Sequence, residues 1–329
     1  MSQRTTSILA MLTLYIVWGT TYLGIKVGLD AGLPPALFLS LRLLPAAAIL
    51  FVVAKWRGVR LSPPRIEART IAVVGVLLLI GGQYVTFLAE QYMPSGLSAL
   101  IVALLPLWIA LAESVFPDMS RPGPLGWVGL VVGFAGLAIL IWPRVPDIAT
   151  GAVVSLGIAL QILATWLWAA GSIYSKRHPV KSDGMVVTAW QMLLAGAITL
   201  VIGTLLGEWN DFTVTPKGLG AIVYLTVFGS CIAFTAFIYA LKHLPASKVM
   251  TYAYVNPVIA VFAGWAAGRA GLVPAEPVNA SIVVGMTVIV AGVALTTAAP
   301  TLPPRRAEAT GDPATPLVTP ADIAPTIET

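Results

Sequence analysis

Charge is what this sequence has least of. Only 10% of its 329 residues are Asp, Glu, Lys or Arg, against 58% hydrophobic; a soluble domain carries roughly 25% charged residues to face water. A water-soluble globular fold is excluded on that ground. Cysteine is nearly absent as well. The single Cys231 closes no internal disulfide and supports no Cys-cluster metal site, and reads as a small core residue. The two histidines, His178 and His243, sit at loop edges, so no His-based metal site or catalytic triad is in view. A Walker phosphate loop, His-Glu-x-x-His and Gly-x-Ser-x-Gly are also missing. No cofactor and no metal are expected, and any ATP-driven work would need a separate subunit.

What the chain does have is length after length of apolar sequence, with a mean hydropathy of +0.89. About 20 residues cross a bilayer as a helix, and the runs predict spans over 8–27, 36–54, 70–89, 95–116, 125–142, 151–174, 185–206, 218–240, 247–266 and 278–298. The runs are continuous rather than alternating, which favours helices over barrel strands. The first run is too long for a signal-peptide core and no small-x-small cleavage site follows it, so it reads as a retained span. The net charge of +5 does not point to nucleic acid, because the Lys and Arg residues lie in the gaps between apolar blocks. Fourteen of the 19 fall in the N-terminal tail, the even-numbered loops and the C-terminal tail, and four in the opposite loops; Arg42 lies inside a span. Cytoplasmic loops carry the excess of basic residues, which predicts both termini in the cytoplasm. The cluster Lys55, Arg57, Arg60, Arg65 and Arg69 is the main anchor of that topology, ahead of a lipid-headgroup or partner site. From residue 299 to 329 the sequence turns rich in Pro, Thr and Ala and reads as a disordered cytoplasmic tail.

The spans repeat. Trp18 and Lys26 are eight residues apart, as are Trp168 and Lys176 at an offset of 150. Pro94 and Pro106 match Pro245 and Pro257 at offset 151, and Gly129 and Gly136 match Gly285 and Gly292 at offset 156. Two halves follow, 8–142 and 151–298, with five spans each. Five is odd, so the second half enters the membrane from the opposite side. The fold class expected is an all-α polytopic membrane protein, with ten transmembrane helices as two inverted five-helix repeats. Inverted repeats are typical of transporters, in which similar halves exchange conformations around a midplane site.

The first span, with Trp18, Gly19, Tyr22, Ile25 and Lys26 followed by Pro34-Pro35 and Leu41-Arg42, resembles the start of EamA-type proteins of the drug/metabolite transporter superfamily. Leu244-Pro245-Ala246-Ser247-Lys248 with Asn256-Pro257-Val258 is similar to the ninth-span signature of that family, and Gly285 to Gly292 to its tenth. The likeness covers nearly all of 8–298. Two positions depart from it: where the family usually shows Gly-Glu after spans four and nine, Pro117-Asp118 and Gly268-Arg269 stand here. The resemblance implies a ten-span transporter of small organic solutes, often an exporter, and does not name the solute.

Within the spans, ionisable residues are functional candidates by default, because burying them is costly. Arg42, about 10 Å into the second span at 1.5 Å per residue, suits an anionic group on a substrate, or alternatively a fixed ion pair or helix-end carbonyls. Glu90 and Glu113 are candidates for coupling proton movement, against structural roles near the interfaces; Glu90 has Lys26 and Arg42 as possible partners. Lys26 reads as a snorkelling side chain. Candidate cavity residues are Trp18, Thr21 and Tyr22 in span one, Gln83 and Tyr84 in span three, Trp168 and Ser172 in span six, and Tyr252 and Asn256 in span nine. Phe87 shares part of span three with Gln83. Pro257 frees a carbonyl beside Asn256, and such openings line cavities. The plain alternative for these residues is an interfacial aromatic belt or a polar bridge between helices. Gly129, Gly133, Gly136, Gly285 and Gly292 read as close-packing positions, with a homodimer seam as an option. The partners expected are the bilayer and a small-molecule substrate. An intramembrane enzyme acting on lipids would need convergent acid, base or metal groups at one depth. A scaffold without transport would need no polar cavity.

Overall fold

The computed structural model describes residues 2–92, 98, 101–141, 152–269 and 280–303. Pro94 of the repeat, the start of the expected fourth span and nearly all of the expected tail lie outside them. The described residues are overwhelmingly helical: α1 Gln3–Asp30, α2 Pro35–Trp56 and α3 Arg65–Ala89, then α4 Leu105–Val115 and α5 Pro124–Ile141. After these come α6 Ala152–Arg177, α7 Gly184–Leu205, α8 Pro216–His243, α9 Tyr252–Arg269 and α10 Ala280–Ala298. Among them α1, α2, α3, α7, α8 and a 23-residue stretch of α6 are long and apolar enough to cross a membrane, and three shorter apolar helices lie in α4, α5 and α10. The protein is an all-α polytopic membrane protein.

Helix ends are set by local chemistry. Pro35 and Pro216 stand in the first turns of α2 and α8, where the missing N–H costs nothing. Asp183 accepts from Met185 N at 2.8 Å and Thr215 from Gly218 N at 3.0 Å, so both cap helices in the usual way. Two longer-range caps tie the parts of the chain together. Glu208 accepts from Ala36 N and Leu37 N at the start of α2 (3.2 and 2.8 Å). Glu67, at the start of α3, accepts from Lys181 N and Ser182 N just before α7 (2.9 and 3.3 Å).

Packing pairs the helices reciprocally. The principal partner of α2 is α7, and that of α5 is α10; α1 packs on α8 and α9, while α6 packs on α3 and α4. The glycines singled out above close the α5–α10 contact. A Cβ on Gly292 would stand 2.3 Å from Gly133 N, and one on Gly136 2.6 Å from Ile289 N. These glycines are therefore spent on an intrachain backbone contact. Outward faces carry exposed Ile16, Val52, Leu111, Val128 and Val201, as a helix bathed in lipid requires.

Three features break the regularity that the hydropathy runs predict. Leu14–Trp18, Val76–Tyr84 and Leu225–Phe234 are π-helical. The span expected over 247–266 is interrupted: a turn, Ala246–Val249, ends at Met250 and Thr251 before α9 begins. Likewise Ala103 and Leu104 form a turn ahead of α4. Past α10, Thr301 and Leu302 pair antiparallel with Pro122 and Arg121, so the segment expected to be disordered from 299 starts with ordered residues.

Candidate substrate cavity

A cavity of about 80 Å³ lies where α1, α2, α3, α6, α9 and the start of α4 meet. Its lining includes Trp18, Thr21, Tyr22, Arg42, Gln83, Trp168, Tyr252 and Asn256, eight of the ten cavity residues expected from the sequence. By volume it holds about five waters, at roughly 15 Å³ each.

Aromatic rings form one wall. Trp18 and Trp168, the repeat-related pair, meet edge to face with centroids 5.6 Å apart; Phe237 lies 5.2 Å from Trp18 and 5.4 Å from Trp168, and Tyr252 is 4.8 Å from Trp18. Edge-to-face stacking adds about 0.5–1.5 kcal/mol per pair beyond area burial, so the wall is stiff. Gly82 makes room for it, since a Cβ there would stand 2.4 Å from Trp168 Cε3.

The π segment of α8 organises the rest. A π turn leaves carbonyls out of the regular ladder and is frequent at functional sites. Gly229 O accepts from Trp18 Nε1 at 3.2 Å, and the next residue, Ser230, accepts from Arg42 Nε at 2.8 Å. Thr226 Oγ1 donates to the Arg42 carbonyl at 3.2 Å. Arg42 is 2% exposed and forms no ion pair among the described residues, so the fixed-pair alternative is not what is observed.

Among the described residues, several buried polar atoms at the cavity have no partner in hydrogen-bonding geometry: Gln83 Oε1, Trp168 Nε1, which lies near the Tyr252 hydroxyl, and both Oδ1 and Nδ2 of Asn256. Asn256 sits beside the Tyr22 hydroxyl without reaching hydrogen-bonding geometry. Each such orphan costs about 1–3 kcal/mol, and native structures leave few of them unless water or a ligand completes the set.

Glu90 lies just behind Thr86 and Gln161 of the lining. Ser98 Oγ stands 3.3 Å from Glu90 Oε1 and 3.1 Å from Gln161 Oε1, and Gln161 Nε2 donates to Thr86 Oγ1 at 3.2 Å. Thr86 and Gln161 line the cavity, so the chain connects the carboxyl group to it. Lys26 pairs instead with Asp30 at 2.7 Å. Glu113 is elsewhere: its Oε1 accepts from Ser247 N at 3.3 Å, in the turn ahead of α9. Tyr84 and Ser172 are buried but absent from the lining, and Ser172 Oγ donates to Trp168 O at 2.8 Å. Of the positions that depart from the EamA pattern, Asp118 pairs with Arg177 at 3.0 Å and Arg269 is exposed.

Thr86, Gln161 and Thr165 were not among the candidates, although Gln161, Thr165 and Trp168 stand at helical i, i+4, i+7 spacing and Thr86 is three residues beyond Gln83. That spacing was the available signal. A second cavity, between α3, α6, α7 and α8, is lined by Lys176, Lys242 and Gln191 among others. Among the described residues no group of three or more His, Cys, Asp or Glu is placed to hold a metal.

Comparison with known proteins agrees with this architecture. The chain is 33% identical to the "Uncharacterized inner membrane transporter YedA" of Escherichia coli (strain K12) over 85% of its own length and 89% of that protein. It is 27% identical to "Protein PecM" of Dickeya dadantii (strain 3937), over 85% of this chain and 90% of the other. It is 22% identical to the "Uncharacterized transporter YoaV" of Bacillus subtilis (strain 168), over 88% and 96%. A solved structure titled "Crystal structure of protein" shares the fold with a TM-score of 0.73 at 22% identity, covering 89% of this chain and 96% of that one. The profile of the EamA-like transporter family matches twice, over residues 5–142 and 155–298. The chain belongs to the EamA-like transporter family and is a membrane transporter.

Proposed function

We propose that the chain is a ten-span secondary transporter that exports a small organic solute across the cytoplasmic membrane by alternating access. In this reading 8–142 and 151–298 are inverted five-helix repeats and both termini are cytoplasmic. The observation that carries it is the convergence of unpartnered buried polar atoms, on Gln83, Trp168 and Asn256, at one aromatic-walled cavity. Both halves contribute to that cavity. The reciprocal packing supports the repeat, because exchanging each helix for the one five places on maps α1 on α8 and α9 to α6 on α3 and α4. The interruptions before α4 and α9 fall beside lining residues Leu105 and Tyr252, as broken helices do at transporter binding sites.

Coupling belongs to Glu90 in this reading, with Glu113 as a cap. The Ser98 hydroxyl has one proton and two acceptors within reach. If Glu90 carries a proton, it donates to Ser98, Ser98 to Gln161 and Gln161 to Thr86, and every donor has one acceptor. A carboxylate there would compete with Gln161 for a single hydrogen. Loading and unloading that proton is the step that accompanies movement of solute.

The experiment is transport by the purified chain in liposomes, against a panel of labelled metabolites, amino acids and drug-like compounds under proton and counter-solute gradients. Asn256→Ala is expected to reduce flux at least tenfold with normal insertion. Failure of any solute to move would overturn the reading.

A further inference from the structure

We propose that the cavity recognises a small organic anion, a carboxylate-bearing solute with a flat apolar body, through Arg42. The proposal rests on the cavity being the transport site. Arg42 is the only charged residue in the lining, so the described walls carry one positive charge and no negative one. Its Nε is held by Ser230 Oγ, while its two Nη groups make no hydrogen bond to the described residues. A guanidinium buried without a counter-charge is strongly disfavoured, and in a membrane protein such a group marks a substrate or ion pathway. The planar fork of an arginine matches a carboxylate with two parallel hydrogen bonds.

The position is built rather than incidental. The Arg42 side chain is held through Nε by Ser230, and its carbonyl accepts from Thr226. Between these residues stands Gly229, where a Cβ would come 3.0 Å from Nη2 and 3.1 Å from Thr21 Cγ2. Any larger residue there would crowd the guanidinium. The Trp18–Trp168 wall offers flat apolar surface for the body of the solute. Asn256 Nδ2 has no partner among the described residues, and Trp168 Nε1, near the Tyr252 hydroxyl, forms no hydrogen bond of good geometry there. A cationic solute finds the reverse situation. Among the described residues no carboxylate lines the cavity, and Glu90 is set back behind Thr86 and Gln161 with Ser98 between.

The test uses the full-length chain and three probes of nearly equal shape: 3-phenylpropionate, 3-phenylpropionamide and 3-phenylpropylammonium. Binding is read in detergent by tryptophan fluorescence, since Trp18 and Trp168 line the site, and transport is read in liposomes. The anion is expected to bind at least tenfold more tightly than the amide or the ammonium. Arg42→Gln removes that preference and Arg42→Lys keeps part of it. Equal or tighter binding of the ammonium, no binding of any probe, or an undiminished preference in Arg42→Gln would each overturn the proposal. If Arg42→Gln does not fold, the three-probe comparison on the unsubstituted chain decides. Anion binding without flux of any solute would remove the transport reading and leave the anion site standing. Flux of cations independent of Arg42 would do the opposite.

Discussion

Glu90 is a carboxyl group 2% exposed whose Oε2 has no partner, which is an expensive arrangement unless the group is neutral or transiently paired. The other charged or ionisable groups around it are Lys26, engaged with Asp30, and the Tyr22 phenol. Glu90→Gln is a fixed mimic of the protonated acid. It keeps an acceptor and supplies a donor toward Ser98, so the chain to Gln161 and Thr86 survives. The expected outcome is retained exchange of solute with loss of accumulation driven by a pH gradient, and a flattened pH profile of transport, both measured in liposomes. Retained gradient-driven accumulation in the variant would remove Glu90 from coupling. Span positions made Glu90 and Glu113 equally eligible. Their contacts separate them, because one chain of hydrogen bonds leads to the cavity and the other ends on a backbone N–H.

At the scale of elements, the two long-range caps hold α2 and α7 to segments distant in sequence. Glu208 serves two otherwise unsatisfied N–H groups of α2, and such caps contribute about 1 kcal/mol. Glu208→Ala is expected to lower the melting temperature in detergent by a few degrees, and Glu67→Ala to do the same through the approach to α7. The losses should add, since the two carboxylates share no hydrogen-bond partner. An unchanged melting temperature in both variants would show that these contacts contribute nothing. Neither cap was legible in the sequence, because nothing near Glu208 or Glu67 indicates which distant helix start it meets. The π segments were equally hidden. They widen the turn locally, and Gln83 in one of them lines the cavity.

For the whole molecule, the charge asymmetry of the loops is a prediction about sidedness. In a Cys231→Ala background, Arg57→Cys is expected to be shielded from a membrane-impermeant maleimide in intact cells and Lys217→Cys to be labelled. The reverse pattern would invert the topology, and labelling of both would contradict the span assignment. Hydropathy, loop charge and repeat spacing are sums over local sequence, which is why the membrane class, most helix limits and the correspondence of Trp18 with Trp168 could be read without coordinates. Repeat spacing gave Trp18 and Trp168 matching places; that the two indoles meet edge to face came only from the packing.

The sequence by itself therefore determined the kind of solvent this chain folds in, most of where its helices run, and which few polar residues fall within apolar runs. Only the tertiary structure decided which of those residues face one another. Arg42 meets Ser230 and Trp18 meets the Gly229 carbonyl because α8 carries a π segment against α1 and α2. That packing joins residues some two hundred positions apart, beyond the reach of local periodicity. Glu90 gains its path to the cavity for the same reason, through Gln161 on α6.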